Sequence, residues 1–115
     1  MARMGEDGEP FEYDGDEAHR EAITAALARV VDPEMALGIL DVGLVYRVSV
    51  RERHAHVLMT MTSAACPVVD VIVDDVARTL ERALPQGFAV DVDVCWEPAW
   101  TPERMSERAK RFMGW

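Results

Sequence analysis

Cys66 lies in the segment MTSAACPVVDVIVDD, where two apolar patterns of different spacing meet. Small residues precede it at Ala64 and Ala65, and Pro67 follows it. A thiolate is both a nucleophile and a soft metal ligand, so a poorly shielded cysteine at such a junction could serve either chemistry. The alternative interpretation is a small side chain that fills space under a helix, because free cysteines are commonly buried.

The residues around Cys66 predict a strand before it and a helix after it. Residues 55–62 alternate between apolar and polar side chains, and residues 67–84 carry apolar side chains at helical spacing. Pro67 fits the first position of that helix, where a missing N–H costs little. Free N–H groups at a helix N-terminus favour a thiolate, whereas the negative charge of Asp70, one turn on, opposes it. The net effect on Cys66 stays open.

Other polar residues are candidates for the same site. Thr60 and Thr62 could hydrogen-bond a ligand, or they could reflect the strand propensity of threonine. The segment DPEMALGILDVGL contributes three acidic residues: Asp32, Glu34 and Asp41. If this segment folds over Cys66, the acids could bind a metal or orient a partner; otherwise they are helix caps and turn formers. Sequence spacing does not place them near the sulfur.

Cys95 and the histidines give weaker signals. Cys95 is predicted on the solvent face of a strand, beside Asp91 and Asp93, and it forms no Cys-x-x-Cys motif. His54 and His56 lie two residues apart on one strand face, so both could coordinate one metal ion. A hairpin tip with surface histidines is the simpler interpretation.

The complete pattern predicts a two-layer α+β sandwich. Helical spacing over residues 16–31, an alternating hairpin over 44–62 and a C-terminal helix opened by Pro102 surround the elements near Cys66. The element order is therefore α-β-β-α-β-α, with helices packed on a small, mostly antiparallel sheet. The last strand is predicted to face the core through five residues: Phe88, Val90, Val92, Val94 and Trp96.

The amino-acid composition indicates how many domains the chain forms and in which compartment it works. Residues 1–14 are acidic and interrupted by Gly and Pro, which predicts a disordered leader before a single domain over 15–115. The formal net charge of −9 argues against non-specific nucleic-acid binding. The sequence has no apolar run of about 18 residues and no secretory h-region. With two cysteines in different segments, it is predicted to be cytoplasmic, where thiols stay reduced.

Three motifs together resemble the metal–sulfur cluster biosynthetic-protein family, which includes the bacterial SufT and PaaD proteins. They are DPEMALGILDVGLVYRV, MTMTSAACP and WEPAWTPERMSERAKRFMG, and they occur in the family's order between Ile23 and the C-terminus. The resemblance places the family's functional cysteine on Cys66, whereas Cys95 matches no motif residue. Its other matching positions include Asp32, Glu34, Asp41, Thr60, Thr62, Pro67 and Trp100.

The resemblance implies a non-enzymatic accessory factor in iron–sulfur cluster assembly or transfer. Its partners would be assembly proteins or client apo-proteins, and Cys66 would be the ligand. A cubane cluster usually needs four thiolates, whereas Cys66 supplies one per chain and two in a homodimer. A cluster would therefore be held transiently, with none tightly bound.

Three alternatives remain beside this reading. One is PaaD-like maturation of a metal-containing oxygenase system for aromatic acids. Another is a thiol enzyme with Cys66 as nucleophile. The last is a pure adapter, which would dock a partner through an exposed Trp100 and the basic C-terminal helix.

Overall fold

The computed structural model describes residues 11–33, 35–62 and 66–114, with the backbone alone for residues 66–68. Its strands are β1 (Glu12–Gly15), β2 (Val31–Asp32), β3 (Leu37–Gly38), β4 (Val45–Arg51), β5 (His54–Met59) and β6 (Ala89–Val94). Its α-helices are α1 (Arg20–Leu27), α2 (Ile39–Val42), α3 (Cys66–Ala83) and α4 (Glu107–Met113). Short 3-10 turns cover Glu17–His19 and Pro102–Arg104. None of the helices in these ranges is long and apolar enough to cross a membrane.

The sheet confirms the α+β class and differs from the prediction in strand direction. Four strands pair in the order β1-β4-β5-β6. The β4–β5 hairpin is antiparallel as predicted, whereas β1–β4 and β5–β6 are parallel. The reason is the connection: α3 carries the chain from β5 back along the sheet, and such a crossover returns the next strand in the same direction. β2 and β3 form a separate antiparallel pair.

One hydrophobic core joins the hairpin to α1 and α3. The buried faces of the two helices have the spacing that the sequence predicts, and they pack on the apolar side of β4 and β5. The fully buried members of this core include Ile23, Leu27, Val48, Val57, Met59, Ile72, Val76 and Leu80. An irregularity between Val45 and Arg47 allows Leu44 and Val45 to be buried together, although strict alternation would separate them.

The predicted disordered leader is wrong for residues 11–14. Phe11 is only 2% exposed, and β1 lies at the sheet edge beside β4. Asp14 forms ion pairs with Arg47 and Arg51, and the hydrogen bond from Arg51 lowers the pKa of its carboxyl group. Strand pairing and these guanidinium contacts hold a segment whose own sequence is acidic. Residues 1–10 lie outside the described residues.

Replacing Phe11 by alanine is expected to lower the free energy of unfolding by about 3 kcal/mol, because the change leaves a cavity in the core. Urea denaturation of the full chain measures this effect. Glu12→Ala is the matched control, because Glu12 is exposed on β1 and its replacement should stay within about 0.5 kcal/mol. Equal stability of the two variants would show that β1 is not held against the domain.

The last strand confirms the predicted register except at its end. Asp91 and Asp93 are exposed, while Val92 and its neighbouring valines pack against the core. Those valines are only partly buried because β6 is the outer strand of the sheet. Trp96, predicted to face the core, is 47% exposed. β6 ends at Val94, so the alternation stops before the tryptophan.

The C-terminal segment divides into two elements rather than one helix. Pro102 opens the 3-10 turn, as predicted, but the turn ends at Arg104. α4 then begins at Glu107, and the Ser106 hydroxyl caps it by accepting a hydrogen bond from the backbone N–H of Ala109 at 3.0 Å.

Candidate functional site

Cys66 is the first residue of α3, the longest helix of the described chain. The predicted position at a strand-to-helix junction is therefore confirmed for its backbone. Pro67 lies in the first turn, where the absent N–H leaves no hydrogen bond unmade. The side chains of Cys66 and Pro67 lie outside the described residues, and so does the whole of Glu34.

One face of α3 packs against the core. Ile72, Val76 and Leu80 form a buried stripe against the core, while Asp70 is exposed. The core therefore holds α3 from Ile72 to Leu80, and Cys66 lies less than two helical turns before this stripe.

Thr60 has the most unusual environment among the predicted site residues. It is fully buried just after β5, and its N–H donates to the carbonyl of Leu44 at 2.7 Å. Its Oγ1 has no hydrogen-bond partner among the residues described. Buried hydroxyl groups are nearly always paired, so an unpaired one indicates a place for a ligand or for a neighbouring polar group. Thr62, two residues on, is partly buried.

Asp32 lies in β2 and is 1% exposed. Its backbone carbonyl accepts a hydrogen bond from the N–H of Ala36 at 2.8 Å. The β2 strand contacts α3, so the first motif lies against the helix that Cys66 begins. The contact joins the strand of Asp32 to α3 as a whole, so the proximity of Asp32 to Cys66 stays a prediction.

Asp41 has a different neighbourhood from Asp32. Its carboxylate accepts a hydrogen bond from the Ser106 hydroxyl at 2.8 Å and pairs with Arg108 at 2.5 Å. Its backbone carbonyl accepts from the N–H of Ser106 at 2.8 Å. These contacts tie α2 to the start of α4. Asp41 therefore holds the C-terminal segment in place.

The contacts of Asp41 with Ser106 and Arg108 form what we call the C-terminal clasp, and Trp100 also belongs to it. The prediction that Trp100 is exposed is wrong. Its indole N–H donates to the carbonyl of Val42 at 2.7 Å, and its ring packs against the core. Nearby, the Tyr46 hydroxyl donates to the carbonyl of Pro98 at 2.6 Å, and the Arg104 guanidinium lies 4.0 Å from the Tyr46 ring centroid. The first and third motifs thus bind each other.

Gly43 belongs to the same contacts, whereas the sequence pattern predicted it only as a residue of a loop that enters a strand. It ends α2 with φ of 85°, a left-handed conformation that glycine adopts without strain. A Cβ atom at this position would collide with the carbonyl group of Arg104. The signal was present in the sequence, because a glycine directly after a short helical run is a typical helix C-terminus.

The described side chains contain no cluster of three or more histidine, cysteine, aspartate or glutamate residues that could hold a metal ion. His54 hydrogen-bonds to Asp91 at 2.5 Å, and His56 hydrogen-bonds to Asp93 at 2.6 Å. These contacts favour the interpretation of His54 and His56 as surface histidines of a hairpin. Cys95 is partly buried just beyond β6.

Comparison with known proteins decides the family. The model of the iron–sulfur cluster assembly protein family matches residues 20–94, which include the first two motifs and the Cys66 junction. The chain belongs to this family. The resemblance drawn from the three motifs is therefore confirmed, and the third motif begins just beyond the matched range.

Bacterial proteins named Fe-S protein maturation auxiliary factors match most of the chain. The Bacillus subtilis Fe-S protein maturation auxiliary factor YitW is 42% identical over 100 residues, which are 86% of this chain and 97% of that protein. The Staphylococcus aureus Fe-S protein maturation auxiliary factor SufT is 37% identical over 86 residues, which are 74% of this chain and 97% of that protein.

Solved structures have the same fold. A DUF59 domain from Bacillus anthracis, 41% identical, superposes with a TM-score of 0.78 over 85% of this chain and 93% of that one. A conserved hypothetical protein from Thermotoga maritima, 34% identical, superposes with a TM-score of 0.71 over 84% of this chain and 94% of that one.

Proposed function

We propose that this protein is an auxiliary factor in the maturation of iron–sulfur proteins and that it acts through the thiolate of Cys66. The observation that carries the proposal is the placement of Cys66 as the first residue of α3, in a chain that belongs to the iron–sulfur cluster assembly family. The names of its relatives as maturation auxiliary factors support the same role.

The chemistry assigned to Cys66 is ligand exchange. Its thiolate would bind iron of an incoming cluster, and the free N–H groups of the first turn of α3 would stabilise negative charge there. Thr60 offers a buried hydroxyl with unused hydrogen-bonding capacity near the same end of β5. One thiolate is too few to hold a cubane, so the cluster is cargo whose remaining ligands come from a donor, a client or a second copy of the chain.

The names of the relatives as auxiliary factors support a non-enzymatic role. His54 and His56 hydrogen-bond to aspartates on the sheet face opposite α3, and the His19 ring contacts the Phe88 ring. A nucleophilic cysteine enzyme needs an adjacent general base or another group that activates the thiol. The names of the relatives also support iron–sulfur maturation over a dedicated aromatic-acid oxygenase pathway.

The proposed partners are iron–sulfur assembly proteins and client apo-proteins in a reducing cytoplasm. Trp96 and Phe112 are large apolar side chains exposed at 47% and 69%, and they replace Trp100 as the residues on which partner docking would rest. Exposed aromatic side chains are frequent anchors in protein interfaces.

Deleting the gene and restoring it on a plasmid tests this function. Activities of [4Fe–4S] enzymes are expected to fall in the deletion strain while their polypeptides persist, and wild-type protein should restore them. A dehydrogenase that contains no iron–sulfur cluster, assayed in the same extracts, is the control. An equal fall in the control enzyme would contradict a specific role in cluster maturation.

Replacing Thr60 by valine is expected to separate function from stability. Valine keeps the shape and removes the unpaired hydroxyl, so the free energy of unfolding should stay unchanged or rise by about 1 kcal/mol. Restoration of iron–sulfur enzyme activity in the deletion strain should weaken, because a hydrogen bond available to the cargo or the thiolate is lost. Urea denaturation and the complementation assay measure the two effects.

Thr24→Val is the matched control for Thr60. The Thr24 hydroxyl donates to the carbonyl of Arg20 at 2.8 Å, so valine there should cost about 1 kcal/mol of stability and leave maturation intact. If Thr60→Val destabilises the protein as Thr24→Val does and complements fully, the Thr60 hydroxyl is structural.

A further inference from the structure

A second concave site lies far from Cys66, where the end of α1 approaches the last turn of α3. It is a cavity of about 370 Å³ lined by Arg29, Thr79, Arg82 and Ala83. Thr79 lies roughly 20 Å along the α3 axis from Cys66, at 1.5 Å per residue. The cavity therefore belongs to neither the thiol junction nor the C-terminal clasp.

The two arginines of this cavity have no ion-pair partner in the described part of the chain. Both side chains are exposed, and Arg53, Arg104 and Arg111 also lack an ion pair among the described residues, so the distinguishing feature of Arg29 and Arg82 is that they line one cavity together. Some arginines do have a carboxylate partner: Arg78 pairs with Asp74 and Arg108 with Asp41. Two guanidinium groups without carboxylates at one cavity leave their donors available to a ligand.

We propose that this Arg29–Arg82 pocket binds a small phosphate-bearing anion. A guanidinium group presents a planar pair of donors that matches phosphate oxygens, and two of them can each hold one phosphate group. The Thr79 hydroxyl can donate a further hydrogen bond. The volume suits a compact ligand, because ligand pockets begin at about 300 Å³.

Direct contacts must supply the affinity for such an anion. The chain carries a net charge of −9, so its long-range field repels anions. The C-terminal ends of α1 and α3 add partial negative charge of their own. A polyvalent anion that engages both guanidinium groups at once is therefore favoured over one that engages a single arginine. Pyrophosphate is the simplest probe with this chemistry.

Titration calorimetry of the full chain with sodium pyrophosphate at constant ionic strength tests the pocket. We expect saturable binding, weaker binding of inorganic phosphate, and amide NMR shifts confined to Arg29, Thr79, Arg82 and their neighbours. Arg29→Gln and Arg82→Gln should each weaken pyrophosphate binding about tenfold, the usual size for one lost charge-assisted contact.

Arg111→Gln is the matched control, because Arg111 is exposed on α4 and lies outside the pocket. It removes the same charge and should leave binding unchanged. An equal loss in Arg111→Gln, or no saturable binding of pyrophosphate, phosphate or ADP at millimolar concentration, would overturn the proposal. These results are independent of Cys66 and of iron–sulfur maturation, so either proposal can fail alone.

Discussion

Replacing Gly43 by alanine is expected to lower the free energy of unfolding by about 3 kcal/mol or more. The residue has φ of 85°, a conformation that costs alanine about 1 kcal/mol. In addition, the new Cβ would lie 2.8 Å from the carbonyl carbon of Arg104 and closer still to its oxygen. The backbone of the C-terminal segment would have to move, which breaks the contacts of Trp100 and Asp41. Urea denaturation measures the change.

Gly114→Ala is the matched control for Gly43→Ala. Gly114 also ends a helix with positive φ, at 78°, but nothing lies within 4 Å of a Cβ placed there. It should therefore show the conformational cost alone, about 1 kcal/mol. Equal destabilisation by the two substitutions would contradict the close approach of the C-terminal segment to α2.

Replacing Cys66 by serine is expected to abolish iron binding while the protein stays folded. Serine has nearly the volume of cysteine, but its hydroxyl is a poor ligand for iron compared with a soft thiolate. Anaerobic mixing of the wild type with iron and sulfide should give visible absorption that gel filtration removes, because the cluster is cargo. The same mixture with Cys66→Ser should lack that absorption, and its far-ultraviolet circular dichroism should match the wild type.

Cys95→Ser is the control for thiol chemistry as such. Cys95 lies just beyond β6 and is absent from the motifs that define the family. Its replacement should leave the absorption on mixing with iron and sulfide unchanged. If the two serine variants behave alike in this reaction, Cys66 has no special role and the adapter alternative gains support.

Local patterns predicted the elements around the thiol well. The apolar spacing of α3 predicted the helix against its valine-rich composition, and the packing of Ile72, Val76 and Leu80 confirms it. The alternation predicted the register of β5, of β4 beyond the irregularity at Val45 and of β6 up to Val94, because each strand has one buried face. The backbone position of Cys66 followed from those two neighbouring patterns.

Features that depend on distant residues could not be read from the sequence. β1 is short and acidic, and its ion-pair partners Arg47 and Arg51 lie more than thirty residues away. Trp96 was predicted to be buried but is exposed, because β6 ends before it. Trp100 was predicted to be exposed but packs on the core, because its indole N–H donates to the carbonyl of Val42. Neither determinant leaves a periodic signal.

The candidate site was predicted unevenly for the same reason. The elements that carry Asp32 and Cys66 do pack together, whereas Asp41 and Trp100 prove to hold the C-terminal segment. The sequence suggested Thr60 as a site residue only because it lies near Cys66 in the chain. Its distinctive feature is a buried hydroxyl that has no hydrogen-bond partner among the described residues, and this feature is visible only in the structure.

The central claim is that maturation of iron–sulfur proteins requires the sulfur of Cys66. Its most direct test is [4Fe–4S] enzyme activity in the deletion strain complemented with wild type, Cys66→Ser or Cys95→Ser at equal protein levels. We expect wild type and Cys95→Ser to restore activity and Cys66→Ser to leave it at the level of the deletion. Full restoration by Cys66→Ser would contradict the claim.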